Sequence, residues 1–143
     1  MIVKQVSVFL ENRAGRLAEV TGILADQKIN IRALSLADSE DFGILRLIVD
    51  DVERAKSILK QEGMTVRETD VVAVEVPDQP GGLAHLLQLL KGEGLNVEYM
   101  YAFVKAPAQS AVMIFRFRDL DRALEVLERK GIRTIPGDEL YSM

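Results

Sequence analysis

The sequence predicts an α+β fold made of two βαββαβ units. Three observations lead there. The chain repeats itself: Val6, Val8, Gly15, Leu17-Ala18, Leu24 and Asn30 return 66 positions later as Val72, Val74, Gly81, Leu83-Ala84, Leu90 and Asn96. Further on, Asp51, Arg54-Ala55, Leu59 and Gly63 return 68 positions later as Asp119, Arg122-Ala123, Leu127 and Gly131. Within each copy the apolar residues alternate between strand period and helix period in the order β, α, β, β, α, β. The totals agree: 143 residues, 48% hydrophobic and 28% charged, suit one ordinary or two very small globular domains.

Each element has its own justification. "KQVSVFL" alternates toward an apolar strand. "GRLAEVTGILADQK" places Leu17, Val20, Ile23 and Leu24 on one helical face. "INIRALSLA" and "FGILRLIV" are β-rich runs separated by "DSED", a hairpin signal. "DVERAKSILKQEG" begins at Asp51, a fitting N-cap. Its core face holds Val52, Ala55, Ile58 and Leu59, and Gly63 ends it. "MTVRETD" supplies the last strand of the copy. The second copy follows with "VVAVEV", "GGLAHLLQLLKGEG", "LNVEYMYAFV", "SAVMIFRFR", "DLDRALEVLERKG" and "IRTIP". It is two residues longer near "VKAPAQS", where a hairpin turn is expected. The tail "DELYSM" is too short to classify.

A βαββαβ unit folds as a four-stranded antiparallel sheet with both helices on one face, the ferredoxin-like arrangement. The expected domains are 1–70 and 71–143. A unit of about 65 residues is marginal alone, because small domains bury too little surface. The two copies are therefore expected to support one another as a pseudo-twofold pair, by joining sheet edges or by packing face to face. "RETDVVAV" runs from one copy into the next with almost no linker.

Composition removes several function classes. There is no cysteine, hence no disulfide, no cysteine metal site and no cysteine nucleophile. The net charge is -4 and no basic cluster stands out, which disfavours nucleic acid. "MIVKQVSVF" is no signal peptide, and no run approaches the roughly 20 apolar residues of a membrane span. A cytoplasmic protein without membrane contact is expected. His85 is the single histidine, and Met64, Met100, Met113 and Met143 are scattered, so no metal site is expected. His85 itself is read as a solvated helix residue.

An RNA-binding sheet would need exposed aromatics among basic residues. Only Phe42, and Phe115 and Phe117 beside Arg116 and Arg118, offer any. Arg13, Arg16 and Asn30 make an acylphosphatase-like site conceivable, but the second copy lacks both arginines. No acid–base pair or nucleophile is repeated, so no catalytic residue and no cofactor is expected. An exposed sheet face with Val3, Phe9, Phe115 or Phe117 would favour a homodimer.

One repeated device does carry a signal. The first strand-to-helix turn reads Glu11-Asn12-Arg13-Ala14-Gly15-Arg16-Leu17, and its counterpart Pro77-Asp78-Gln79-Pro80-Gly81-Gly82-Leu83. Asn12 and Asp78 share a place and can cap the helix or fold onto the turn. Gly15 and Gly81 permit conformations closed to other residues and let a ligand approach the backbone. The first helix amides lack internal partners and carry the positive dipole end, which suits a carboxylate. Asn30 and Asn96 recur where the second strand starts, an edge strand in this topology. Edge-to-edge pairing would bring each Asn near the other copy's turn, where its amide oxygen can accept from an ammonium group. That combination describes a site for an α-amino acid.

With these residues in view, the chain resembles a tandem ACT-domain protein, over nearly its whole length and twice. "ENRAGRLAEVTGILADQKINI" is similar to the family's strand, Asn-Arg-Pro-Gly-type turn, amphipathic helix and Gly-Ile-Asn-Ile. "PDQPGGLAHLLQLLKGEGLNV" matches it as well. The resemblance implies a non-catalytic regulatory module that binds a small molecule, usually an amino acid, at the interface of paired units. It implies that Asn12, Ala14, Gly15 and Arg16, with Arg13 and Leu17 of the same turn, face Asn96 and Val97. Asp78, Pro80, Gly81 and Gly82 would face Asn30 and Ile31.

Ala14 replaces the family's Pro, Lys28 its Gly and Asp78 its Asn, so the two sites are inequivalent. Tyr99 and Tyr101 share one strand face, Glu98 and Met100 the other. Tyr99 is expected to make the half-site at the first turn the better one. The chain would act on an enzyme or regulator partner. The alternatives are an interaction module that has lost its ligand and, less in keeping with the residues, the small enzyme.

Overall fold

The computed structural model describes residues 2–38, 41–103 and 110–143. The turn expected at "VKAPAQS" falls, except for Ser110, outside these residues, as do Ser39 and Glu40 of "DSED". Among the described residues seven strands and five helices follow in order: β1 Val3–Glu11, α1 Arg16–Asp26, β2 Ile31–Asp38, β3 Phe42–Val49, α2 Val52–Gln61 and β4 Thr65–Pro77. Then come α3 Gly82–Gly92, β5 Val97–Ala102, β6 Ser110–Phe117, α4 Leu120–Arg129, β7 Thr134–Ile135 and α5 Gly137–Ser142. The chain divides into two compact units. The first is Lys4–Thr69 with Tyr141–Met143, and the second is Asp70–Leu140 with residues 2 and 3.

In the first unit β3 pairs antiparallel with β1 on one side and β2 on the other, and β4 lies beyond β1. Val6, Val8 and Leu10 of β1 and Leu45, Leu47 and Val49 of β3 point to one face of the sheet. There they meet Val20 and Leu24 of α1 and Ala55 and Leu59 of α2. Burying this apolar face is what holds two short helices that would be marginal alone. Asp51 caps α2 as its sequence suggests, accepting from the Arg54 amide at 3.1 Å. Leu17 departs from the expected core face: it is 39% exposed.

The second unit repeats this order, with β7, β4, β6 and β5 side by side. Val72, Val74, Val76, Phe115 and Phe117 pack under Leu86 and Leu90 of α3 and Ala123 and Leu127 of α4. The two phenylalanines stack at 5.5 Å between centroids and are fully buried. The exposed sheet face expected from Val3, Phe9, Phe115 or Phe117 is thus not formed by Val3, Phe115 and Phe117, since all three are at 0% exposure; Phe9 is half-buried under Arg67, whose guanidinium lies 5.8 Å from its ring centre. Residues two apart on a strand share a face, and here that face carries the helices.

Two strands expected as separate are one. "MTVRETD" and "VVAVEV" merge into the thirteen residues of β4, whose early part is the last strand of the first unit and whose later part is the first strand of the second. No Gly, Pro or Asn interrupts "RETDVVAV", so nothing there breaks the extended backbone. The last strand of the second unit, β7, has only two residues. The tail that follows forms α5.

Candidate functional site

The first strand-to-helix turn is built on Gly15. Its φ of 91° lies in the left-handed region, and it stands at the N-cap with no side-chain cap. Gly81 does the same for α3 with φ 89°. Of the two roles expected for Asn12 and Asp78, capping the helix or folding onto the turn, the N-cap position itself falls to Gly15 and Gly81. A left-handed glycine ends the turn by backbone geometry.

The Asn12 backbone N–H donates to the Asp41 carbonyl at 2.8 Å, tying the turn to the entrance of β3. The Arg16 amide reaches the Arg13 carbonyl at 3.4 Å, whereas the Leu17 and Ala18 amides have no partner among the described residues. Such open amides at the positive end of a helix dipole suit a negatively charged oxygen.

Beside the turn lies a cavity of about 80 Å³. Asn12, Arg13, Arg16 and Leu17 line it from the turn. Leu10 and Glu11 contribute from the end of β1, Leu36 from β2 and Gly43 from β3. Four of the turn residues singled out by sequence are therefore brought together, while Ala14 and Gly15 are exposed on the turn. Leu36 and Gly43 lie too far along the chain for any local motif to have signalled them.

Arg16 has the most informative position. Its side chain is 15% exposed, with Nη1 at 2.8 Å from Glu19 and Nη2 at 3.5 Å from Glu11. Its Nε is buried and has no acceptor among the described residues. An unpaired buried N–H costs about 1–3 kcal/mol. The Arg13 hydrogen bond, with Arg16 and Arg13 charge behind it, holds the Glu11 carboxyl below the usual carboxylate range.

The other predicted residues are placed as follows. Asn30 is exposed; its backbone N–H donates to Asp50 Oδ1 at 3.0 Å and its backbone carbonyl accepts from the Asp50 backbone N–H at 3.2 Å. Ile31 packs on the first core. Asn96 is exposed, its carbonyl accepting from the Arg118 amide at 3.4 Å, and Val97 packs on the second core. Tyr99 is half-buried just past a register shift in β5. Asp78, Pro80 and Gly81 are exposed, but Gly82 is buried. A Cβ at Gly82 would sit 2.2 Å from the Pro77 carbonyl oxygen, so only glycine fits there. Among the described residues no group of His, Asp and Glu could hold a metal ion, and no helix is long and apolar enough to cross a membrane.

The model of one protein family, described as an ACT domain pair, matches residues 1–143. The chain belongs to that family. Among curated proteins this ACT pair is similar to the acetolactate synthase small subunit of Buchnera aphidicola, with 29% identity over 91 residues, 64% of this chain and 58% of that one. It is also similar to that of Haemophilus influenzae, with 27% identity over 117 residues, 82% of this chain and 64% of that one. The ACT pair thus spans less than two thirds of the length of these relatives.

Among solved structures, protein BT0572 from Bacteroides thetaiotaomicron shares 43% identity with a TM-score of 0.94, over 100% of this chain and 98% of that one. The regulatory subunit of aspartate kinase from Thermus thermophilus has the same fold, with a TM-score of 0.62 at 17% identity over 90% of this chain and 96% of that one.

Proposed function

We propose that this ACT pair is a non-catalytic regulatory module that binds a small amino acid at its first strand-to-helix turn. The observation that carries this reading is the combination at Gly15 and Arg16. Leu17, with an open helix amide, and Arg16, with a buried N–H that has no acceptor among the described residues, line one small cavity. A ligand carboxylate at the Leu17 and Ala18 amides would use the helix dipole. Leu10, Leu17 and Leu36 around the cavity suit a short aliphatic body.

The matched positions of the repeat supply the rest of the proposal. Asn96, Val97 and Tyr99 would complete the site at the first turn. Asn30 and Ile31 would complete a second, weaker one at Asp78, Pro80, Gly81 and Gly82. The domain division at residues 70 and 71 belongs to the same proposal, as do a cytoplasmic location and a homodimer. Curated relatives named as small subunits of an enzyme support a role exerted on a partner enzyme. A coupling of about 1–3 kcal/mol between ligand and partner would suffice for regulation.

Thermal-shift and calorimetric screening against the twenty amino acids tests the reading. At least one amino acid is expected to bind in the micromolar to millimolar range and to raise the melting temperature. Arg16→Met is expected to remove that response. Folded protein that responds to none of the twenty would overturn the ligand claim.

A further inference from the structure

The two copies differ most at the place of Arg16. In the second unit the positions matching Glu11, Arg16 and Glu19 are Pro77, Gly82 and His85. All three adjoin a groove of about 160 Å³ that the turn cavity does not share. Where the first unit holds a largely buried guanidinium between two carboxylates, the second has no side chain at all. The Pro77 carbonyl bars even a methyl group at Gly82, so the backbone itself keeps this place free of side chains.

The walls of the groove are apolar, formed by Val76, Leu86, Leu89 and Ile132. The size suits a body of five or six carbons, since a cavity of about 150 Å³ holds a benzene-sized molecule. The charge at the rim sets the rest. Glu75 is taken up by Arg133, whose hydrogen bond, with a second from Ser110, holds that carboxyl below the usual range. Lys130 lies 3.8 Å from Glu93, beyond hydrogen-bond distance, and Glu93 is also shared by Arg129 and Arg122. The Lys130 ammonium therefore keeps donors for another acceptor, with His85 also lining the groove.

We infer that the groove between α3 and the α4–β7 connection is a second ligand site, taking a small carboxylic acid with an aliphatic or phenyl body. The body lies on Leu86, Leu89 and Ile132, and the carboxylate meets Lys130 and His85. No α-ammonium partner is required, which separates this site from the one proposed at the first turn.

Amide NMR titration of the full chain with 4-methylpentanoate, and separately with 4-methylpentan-1-ol, tests the inference. The acid is expected to give saturable shifts at Gly82, His85, Leu86 and Leu89. The alcohol should bind about tenfold more weakly, as should the acid to Lys130→Gln, since each loses a charge-assisted contact. Lys130 is exposed, so that variant should keep the fold. Equal binding of acid and alcohol, or binding unchanged in Lys130→Gln, would overturn the carboxylate assignment. Absence of saturable shifts at these amides would overturn the site. Shifts confined to Asn12–Leu17 would do the same while supporting the first-turn site.

Discussion

Lys28 has φ 58°, a left-handed conformation that costs a side-chain-bearing residue about 1 kcal/mol relative to glycine. The matching position in the second copy is Gly94, with φ 69°. Lys28→Gly is therefore expected to stabilise the chain by about 1 kcal/mol in urea unfolding, unusual for a substitution to glycine. The turn glycines point the other way. Gly15→Ala keeps open space around its new methyl and should cost only the left-handed strain, about 1–2 kcal/mol. Gly82→Ala should cost more, because the Pro77 carbonyl must move. Reversal of that order would show that the backbone of the second turn is looser than described. The Arg16→Met variant should itself change stability by no more than about 1 kcal/mol, since it removes an unpaired donor along with two ion pairs. A loss of ligand response in that variant would then report on binding.

Among the elements, α2 and α4 share one design. Asp51 and Asp119 each accept from the third residue onward, Arg54 and Arg122. Asp51→Ala should cost about 1 kcal/mol by urea unfolding. Around α4, Glu93 is held below the usual carboxylate range by its hydrogen bond to Arg129, then by the charges of Arg129, Lys130 and Arg122. A lowered carboxyl stabilises the fold above its unfolded pKa, about 4.3, and that contribution is lost as pH falls through the folded value. Stability measured by urea from pH 6 downward should fall below about pH 4.5, and less so in Glu93→Gln.

These elements also show what sequence can and cannot disclose. The repeat, the helix at Asp51 and the edge position of the second strand were legible because caps and periodicity are local. The merger of two strands into β4 was half legible, since the missing linker was visible but not the continuity. Phe115 and Phe117 were misplaced because spacing gives a shared face, not which face the helices cover. That Gly15 rather than Asn12 takes the N-cap position was not legible, because a left-handed glycine can stand where a side-chain cap usually does. At the site, Asn12 to Leu17 were legible as one contiguous turn, whereas Leu36 and Gly43 enter only through strand order.

At the scale of the whole chain, each compact unit includes residues from a distant part of the sequence. Tyr141–Met143 belong with the first unit, where Arg32 Nε donates to the Tyr141 carbonyl at 2.9 Å and Nη1 donates to that of Met143. The Lys4 amide donates to the Tyr141 hydroxyl at 2.8 Å. A chain shortened by these three residues should be destabilised by about 1–3 kcal/mol. Hydrogen exchange should quicken in β2, which carries Arg32, and not in β6. Exchange quickening equally in both would make the tail a global determinant instead.

The exchange of ends also bears on how the gene is organised. A tandem duplication ordinarily leaves two copies that can be cut apart at the junction. Here the junction lies inside the uninterrupted strand β4, and the closing residues of the second copy have become part of the first. A gene split at its midpoint would yield two halves, each missing a piece encoded in the other.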